Sequence, residues 1–254
     1  MKKLLLWGVA LIALAVGPAN AADLGRPLPA PTPVPVPAYM PFSWTGFYIG
    51  GNAGVAWSPK GEFTDSFGNF FDGASQSTVF TGGGQVGGNY QINYWLVVGV
   101  EADFNWLSDH NNKSNGVFIP AVGGNVQVAA DSTWITILAA RVGVVAAERA
   151  LFYVKGGGGW LSDNQFTVTN TTSGASFSGT NNNFKGGWLV GAGIEYAFAL
   201  NWTAKVEYDF LAISNTSFTV PAGTLGFPSS DTFTTNNRDL QMLTVGFNYL
   251  FNGF

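Results

Sequence analysis

The chain has 254 residues, a formal net charge of −4 and no cysteine, and 46% of its residues are hydrophobic while only 10% are charged. The absence of cysteine excludes disulfide-framework domains and thiolate-based metal or nucleophilic sites. The charged fraction lies far below the roughly one quarter that is usual in soluble domains. No basic patch offsets the negative charge, so binding to nucleic acid is excluded as well.

The first residues have the pattern of a secretory signal peptide. Lys2-Lys3 precedes the apolar run Leu4–Val16, and the small-residue site Ala19–Ala21 follows it. The run is shorter than the roughly 20 residues that a spanning helix needs. We therefore expect an exported protein that loses residues 1–21 by cleavage before Ala22. Without the two lysines of this segment the formal charge moves from −4 to −6.

A proline-rich segment follows the signal, in residues 22–43. It reads DLGRPLPAPTPVPVPAYMP at Asp23–Pro41. Dense prolines cannot donate ladder hydrogen bonds and favour an extended polyproline conformation. We expect a periplasmic linker ahead of one domain, residues 44–254. A tether through the periplasm, an arm near peptidoglycan and a featureless spacer all remain open for this linker.

From Trp44 onward, apolar residues alternate with other residues at a period of two, in eight segments of about ten residues. The third segment, Leu96–Leu107, is the clearest. One face carries Leu96, Val98, Val100, Ala102, Phe104 and Trp106, and the other carries Val97, Gly99, Glu101, Asp103 and Asn105. A fully apolar face opposite an acidic one is typical of a strand that faces lipid on one side.

The connections between the eight segments alternate in length. Three are short, Gln91–Tyr94, Ala147–Ala150 and Ala199–Asn201, and four are long, Ser58–Ser77, Ser108–Asp131, Ser162–Asn183 and Ser214–Asn237. We predict an all-β fold, an eight-stranded antiparallel up-and-down transmembrane β-barrel with short periplasmic turns and long extracellular loops. The long connections are expected to be polar surface loops. A soluble sandwich is the alternative fold.

Eight of the nine tryptophans lie at or next to segment ends. They are Trp44, Trp57, Trp95, Trp106, Trp134, Trp160, Trp188 and Trp202. An indole suits the boundary between lipid and water, so these residues predict two aromatic girdles. Trp95 and Trp106 are eleven residues apart, or roughly 36 Å at about 3.3 Å per residue. A strand tilted by about 40° would rise roughly 28 Å, close to the apolar band of about 25 Å in bacterial barrels.

Charged residues within the segments fall on the face opposite the apolar one. They are Glu101, Asp103, Arg141, Lys155, Glu195, Lys205, Glu207 and Asp209. Because Arg or Lys facing lipid costs about 2–4 kcal/mol at the midplane, we expect these side chains to point into the lumen. An eight-stranded lumen is just wide enough to be filled by side chains. A hydrogen-bonded ion network that plugs the lumen and a polar lining that selects solutes are both compatible with the pattern.

Little in the sequence points to catalysis. His110, the one histidine, lies beside Asp109 in a polar connection, without a second histidine for a metal site. The glycine runs Gly82–Gly84 and Gly156–Gly159 lack the Lys-Ser/Thr of a phosphate-binding loop. We expect no enzymatic activity, no cofactor and no metal.

Four stretches carry a family resemblance: WTGFYIGGNAGVAW (Trp44–Trp57), GGGQVGGNYQ (Gly82–Gln91), WLVVGVEADFNW (Trp95–Trp106) and TVGFNYLFN (Thr244–Asn252). They resemble the small outer-membrane immunogenic or porin-family proteins of alpha-proteobacteria. The resemblance covers Trp44–Phe254 and implies an OmpA-type barrel without the periplasmic peptidoglycan-binding domain. It also implies that Phe247, Tyr249 and Phe251 of the last strand form the C-terminal insertion signal.

Members of that family are surface antigens and envelope-integrity proteins, and some have been proposed as small porins or haemin binders. We therefore expect a structural and surface role in the outer membrane of a Gram-negative bacterium. Passive transport through a narrow lumen is the first alternative. Haemin binding by the loops is the second, with His110 as the available imidazole. The expected partners are outer-membrane lipid, lipopolysaccharide and, during insertion, the barrel assembly machinery; we expect a monomer.

Overall fold

The computed structural model describes residues 42–59, 62–73, 77–179, 184–236 and 239–251. The expected signal peptide and nearly all of the expected linker lie outside these residues, as does the side chain of His110. Within the described ranges, no helix is long and apolar enough to cross a membrane.

Fourteen strands run through the described ranges, eight of them long. In chain order they are β1 (Gly46–Ser58), β2 (Glu62–Thr64), β3 (Phe70–Phe71), β4 (Ser77–Gln91), β5 (Leu96–Lys113), β6 (Val117–Ile119), β7 (Gly124–Ala146), β8 (Ala150–Asn170), β9 (Ser176–Gly179), β10 (Phe184–Ala197), β11 (Trp202–Ile213), β12 (Ser217–Val220), β13 (Asp231–Asn236) and β14 (Leu240–Phe251). The long strands are the eight segments that alternate at period two, so the predicted strands are confirmed.

The eight long strands close into a barrel. Each pairs antiparallel with the long strand before and after it, and β1 pairs with β14 from Phe47 opposite Phe251 to Trp57 opposite Gln241. Strand pairs β4–β5, β7–β8 and β10–β11 are joined by the three short turns. The predicted fold class, a closed eight-stranded antiparallel barrel, is confirmed.

Alternation along each strand separates two surfaces. Outward residues such as Val100, Val154 and Val245 are half exposed, at 59%, 55% and 50%, whereas their inward neighbours Glu101 and Lys155 are buried. This agrees with the period-two pattern, because successive side chains of a strand point to opposite faces of the sheet. The outward face is the one that the sequence pattern predicts to meet lipid.

Trp44 corrects one expectation. Its side chain is completely buried, in an apolar cluster with Val97, Leu151 and Tyr153 at the short-turn end of the lumen. Its ring also meets the Phe42 ring edge-on at 4.9 Å between centroids. Residues 42–45 precede β1 and belong to no strand, so strand alternation does not fix where Trp44 points. The chain turns it into the barrel mouth, and the expected girdle position is wrong.

The long connections correct a second expectation. Strands β5, β7 and β8 continue well past the outer tryptophans, so much of Ser108–Asp131 and Ser162–Asn183 is strand rather than loop, including the backbone of His110. The pairing of β5 with β7 shifts its register just beyond Trp106 opposite Trp134, at the level where the strands leave the barrel wall. Such bulges bend a strand and increase its twist.

The outer extensions form a small two-layer unit, which we name the outer sandwich. One layer is a four-stranded sheet in the order β12-β13-β2-β3, and the other consists of β6, β9 and the outer parts of β7 and β8. The buried residues that fill the space between them are apolar: Phe63, Phe71, Ile119, Val126, Val128, Val168, Phe218, Val220, Phe227 and Phe233. The predicted polar loops therefore contain a hydrophobic core of their own.

Candidate functional site in the barrel lumen

All eight charged residues singled out in the sequence lie inside the barrel. None of Glu101, Asp103, Arg141, Lys155, Glu195, Lys205, Glu207 and Asp209 is more than 3% exposed. They come from five strands, β5, β7, β8, β10 and β11, and meet because each occupies an inward position at mid-height. The structure thus brings together the whole set that the sequence proposes for the lumen.

Lys155 lies at the centre of the acidic residues. Its Nζ is 2.8 Å from Glu207 Oε1, 3.1 Å from Asp209 Oδ2, 3.4 Å from Glu101 Oε1 and 3.5 Å from Asp103 Oδ2. One ammonium therefore serves four carboxylates. Among the described residues, Asp103 and Asp209 form ion pairs with no other cation.

Glu101 connects the three cations. Lys205 Nζ donates to both of its carboxylate oxygens at 3.1 Å, and Arg141 Nη1 lies 3.5 Å from Oε2. The Tyr48 hydroxyl donates to the same Oε2 at 2.8 Å. Lys205 also reaches Glu207 at 3.3 Å. Charge-assisted bonds of this kind are stronger than neutral ones, and burial strengthens them further.

Arg141 is held on three sides. Its Nη1 is 3.1 Å from Glu195 Oε2, and its Nε donates to Asn89 Oδ1 at 2.8 Å. The guanidinium lies between two aromatic rings, 4.8 Å from the Tyr48 centroid and 5.0 Å from that of Tyr153. Cation–π contacts at this distance are favourable, and more so when the cation is desolvated.

A layer of neutral polar groups continues the network towards β1 and β14. Asn248 Nδ2 donates to Glu195 Oε1 at 2.9 Å, and Gln85 Nε2 donates to Asn248 Oδ1. Asn52 in turn donates to Gln85 at 3.1 Å. The polar contacts therefore extend across the full width of the lumen.

Small inward residues make room for the large ones. A Cβ at Gly87 would collide with the hydroxyl and ring of Tyr48, and a Cβ at Gly193 would lie 2.5 Å from the Tyr153 hydroxyl. Tyr153 uses that hydroxyl to donate to Glu207 at 2.6 Å. At these two positions the space that a glycine leaves empty is thus filled by a tyrosine from a neighbouring strand.

Among the described residues the lumen holds five carboxylates and three cations, an excess of two negative formal charges. Oxygens of Glu101, Asp103 and Glu207 come within 4.8 Å of one another, a spacing that suits a metal ion. Lys155 Nζ already contacts all three carboxylates, so its ammonium takes the place that such an ion would need.

Apolar side chains fill the lumen above and below the charged layer. The cluster around Trp44 lies on the short-turn side. The cluster on the outer side is larger and consists of Ala56, Val79, Leu107, Ile135, Ile137, Ala139, Leu161, Leu189, Leu211, Ile213, Leu240 and Met242. This outer layer is not among the residues predicted from the sequence. Runs of consecutive apolar residues, such as Ile137–Ala140, carry the signal, because in such a strand both the outward face and the lumen face are apolar.

The remaining tryptophans lie on the outward surface. Trp95, Trp106, Trp134, Trp160, Trp188 and Trp202 are 38–59% exposed, and Trp57 is half-buried beside Tyr208. On β14, Phe247 and Phe251 are exposed and Tyr249 is half-buried, all three on the outward face. The insertion-signal role of these three residues stays a prediction.

Comparison with known proteins gives one consistent answer. The chain is 33% identical over 220 residues to the 31 kDa outer-membrane immunogenic proteins of Brucella melitensis and Brucella suis, covering 83% of this chain and 85% of theirs. The fold is similar to that of the outer membrane protein OprG from Pseudomonas aeruginosa, with 14% identity, a TM-score of 0.50 and coverage of 84% of this chain and 100% of OprG. Residues 10–251 match the family model described as outer membrane protein beta-barrel domain. With nearly its whole length matched, this chain belongs to the outer-membrane β-barrel family and is an outer-membrane protein.

Proposed function

We propose that this protein is a non-conducting and non-enzymatic scaffold of the outer membrane, which holds the outer sandwich at the cell surface. The observation that carries the proposal is the filling of the lumen at three levels. An apolar cluster at each end encloses the charged layer, and the charged side chains themselves are at most 3% exposed. A barrel packed in this way is rigid and has no continuous aqueous path through its lumen.

Surface presentation is the second part of the proposal. The outer sandwich has its own core and is continuous with strands β5, β7 and β8, so it stands rigidly on the barrel wall. The Brucella relatives are named immunogenic outer-membrane proteins. We extend that property to this chain: ordered loops that face outward are the part an antibody would meet. The seven outward tryptophans would fix the height of the barrel in the bilayer.

A passive porin is the alternative, and conductance separates the two. The chain from Ala22 onward is refolded into planar bilayers, with closure of the barrel verified by heat-modifiable gel mobility. We expect no unitary steps from the wild type or from Arg141→Ala, because the outer apolar layer lies between Arg141 and the outside. Val142→Ala, on the lipid-facing side of the same strand, is the matched control.

Steady unitary steps from folded wild type, changed in size or ion selectivity by Arg141→Ala and not by Val142→Ala, would establish the porin and end the scaffold proposal. Silence from a folded barrel in all three proteins is the result that the packed lumen predicts.

Export by a cleavable signal is a further part of the proposal, resting on the sequence pattern before Ala22. N-terminal sequencing of protein from the outer-membrane fraction should begin at Ala22. Any other first residue, or an uncleaved Met1, contradicts it.

A further inference from the structure

Among the described strand residues, the solvent-facing side of the four-stranded sheet in the outer sandwich carries little charge. Its strand residues are Glu62, Thr64, Phe70, Ser217, Thr219, Thr232, Thr234 and Asn236, and Glu62 is the one ionisable residue among them. Protein surfaces exposed to water usually carry about 25–35% charged residues. A face built from hydroxyls is therefore unusual for a surface that meets only solvent.

The hydroxyls stand in a row across the strands. Ser217 pairs with Thr234, Thr234 with Thr64, and Thr64 with Phe70, so the four side chains lie side by side on one face. Adjacent strands are about 4.8 Å apart, which makes the row roughly 14 Å long. The separation of about 4.8 Å between neighbouring side chains of the row is comparable to the repeat of pyranose rings in a polysaccharide.

An aromatic ring ends the row. Phe70 is 54% exposed, and Phe67, in the turn just before it, is 62% exposed. Both residues lie beyond the outer tryptophans, where lipid no longer covers the protein. Large exposed apolar side chains outside the lipid belt mark contact sites. A flat ring beside hydroxyl donors and acceptors suits a sugar, because the ring packs on the C–H face while the hydroxyls bond to the rim.

We propose that this hydroxyl face binds the neutral polysaccharide chains of the lipopolysaccharide in the same membrane. The charge of the face argues for a neutral ligand, since none of its strand residues is a cation that would pair with phosphates. Its position argues for this source: the sandwich begins where β5 and β7 leave the outer tryptophans, in the layer that those chains occupy. Anchoring in one leaflet gives a high effective concentration, so a weak site suffices.

The proposal rests on the outer-membrane location and not on the sealed lumen, so a conducting barrel would leave it standing. The test uses the full barrel in lipid nanodiscs and polysaccharide released from the bacterium's own lipopolysaccharide by mild acid. Binding is measured by biolayer interferometry with immobilised polysaccharide, and dextran sulphate serves as a polyanionic comparison. We expect the wild type to bind the neutral chains and to ignore dextran sulphate.

Two substitutions locate the site. Phe70→Ala should lower the association constant at least fivefold by removing the stacking ring, and Thr234→Val at least threefold by removing one hydroxyl at constant shape. Ser178→Ala, on the opposite face of the sandwich, should change it by less than twofold. Unchanged melting temperatures verify that the three substitutions leave the fold intact.

Equal binding by wild type, Phe70→Ala and Thr234→Val overturns the proposal. Binding of dextran sulphate in preference to the neutral chains overturns the ligand class. Binding of neutral oligosaccharides from other sources, without binding of the bacterium's own chains, overturns the assignment of the source.

Discussion

Replacing Lys155 by methionine keeps the length of the side chain and removes its charge from among four carboxylates. Asp103 and Asp209 then lose the only cation with which they form ion pairs among the described residues, whereas Glu101 and Glu207 keep Lys205. The excess of carboxylates over cations in the lumen rises from two to three.

The expected loss of stability follows from the number of carboxylates that are left without a cation. Leaving one partner of a buried ion pair uncompensated costs about 3–5 kcal/mol. Because Lys155→Met strands two carboxylates, we expect a loss near the upper end, about 5 kcal/mol in the free energy of unfolding. Asp103→Asn has two effects that oppose each other. It removes one negative charge from a site that has more carboxylates than cations, and it gives up the 3.5 Å contact between Asp103 and Lys155. Its effect should stay within about 1 kcal/mol.

The measurement is urea-induced unfolding of the refolded barrel in lipid vesicles, followed by tryptophan fluorescence and by gel mobility without boiling. The double variant Lys155→Met/Asp103→Asn completes a cycle that isolates the coupling between the two residues. Asparagine at position 103 should recover about 1–2 kcal/mol of the loss caused by methionine at position 155, since one stranded carboxylate is gone.

A loss of less than about 1 kcal/mol for Lys155→Met would refute this reasoning, because it would place the pair in the range of solvent-screened surface ion pairs. The lumen would then contain enough water to stabilise bare carboxylates. That outcome would also favour the porin over the sealed scaffold.

Two further predictions concern other parts of the molecule. Gly87→Ala forces Tyr48 away from its carboxylate partner and should cost about 1–3 kcal/mol by overpacking. Gly84→Ala on the outward face of the same strand places its Cβ 3.7 Å from the Gly50 carbonyl oxygen, an ordinary van der Waals distance, and should stay near neutral in the same urea assay. In the outer sandwich, burial raises the pKa of Asp231, so the stability it contributes is present in acid and is lost as pH rises through that raised pKa. Asp231→Asn should therefore increase the hydrogen-exchange protection of the sandwich near neutral pH, with the gain disappearing in acid; lower protection at neutral pH would contradict it.

Local alternation was enough to predict the barrel itself. In β5, the positions of Val100 and Glu101 on opposite faces follow from parity alone, and so does the inward direction of Arg141 on β7. The alternation of inward and outward positions does not indicate which side chain each inward group contacts. The level at which two strands meet depends on the stagger of the closed barrel, so the contact of Lys155 with Asp209 could not be read from the sequence.

The outer sandwich was missed for a different reason. Its strands show alternation too: Val126 and Val128 alternate with polar residues, and so do Phe218 and Val220. The sequence predicts segments of about ten residues, the length that a membrane-spanning strand needs, and the long connections between them are therefore expected to be loops. A strand can nevertheless continue beyond the membrane into water. The core of the outer sandwich joins connections that are far apart in the chain, so local alternation does not predict it.

The charged layer has a consequence for how the barrel selects one strand register. A slip of two residues in any strand would keep inward residues inward, and the apolar layers would tolerate it, because they are indifferent to exchanges among similar aliphatic side chains. The ion pairs would not tolerate it. Glu101 of β5 meets Arg141 of β7, Lys155 of β8 and Lys205 of β11 at once, so a slip of about 7 Å in any of these strands would break contacts of 3.1–3.5 Å and leave buried charges unpaired. The network therefore specifies the register of these four strands, whereas well-packed aliphatic side chains could fill the same space at no loss of stability but would not distinguish the correct alignment from its neighbours.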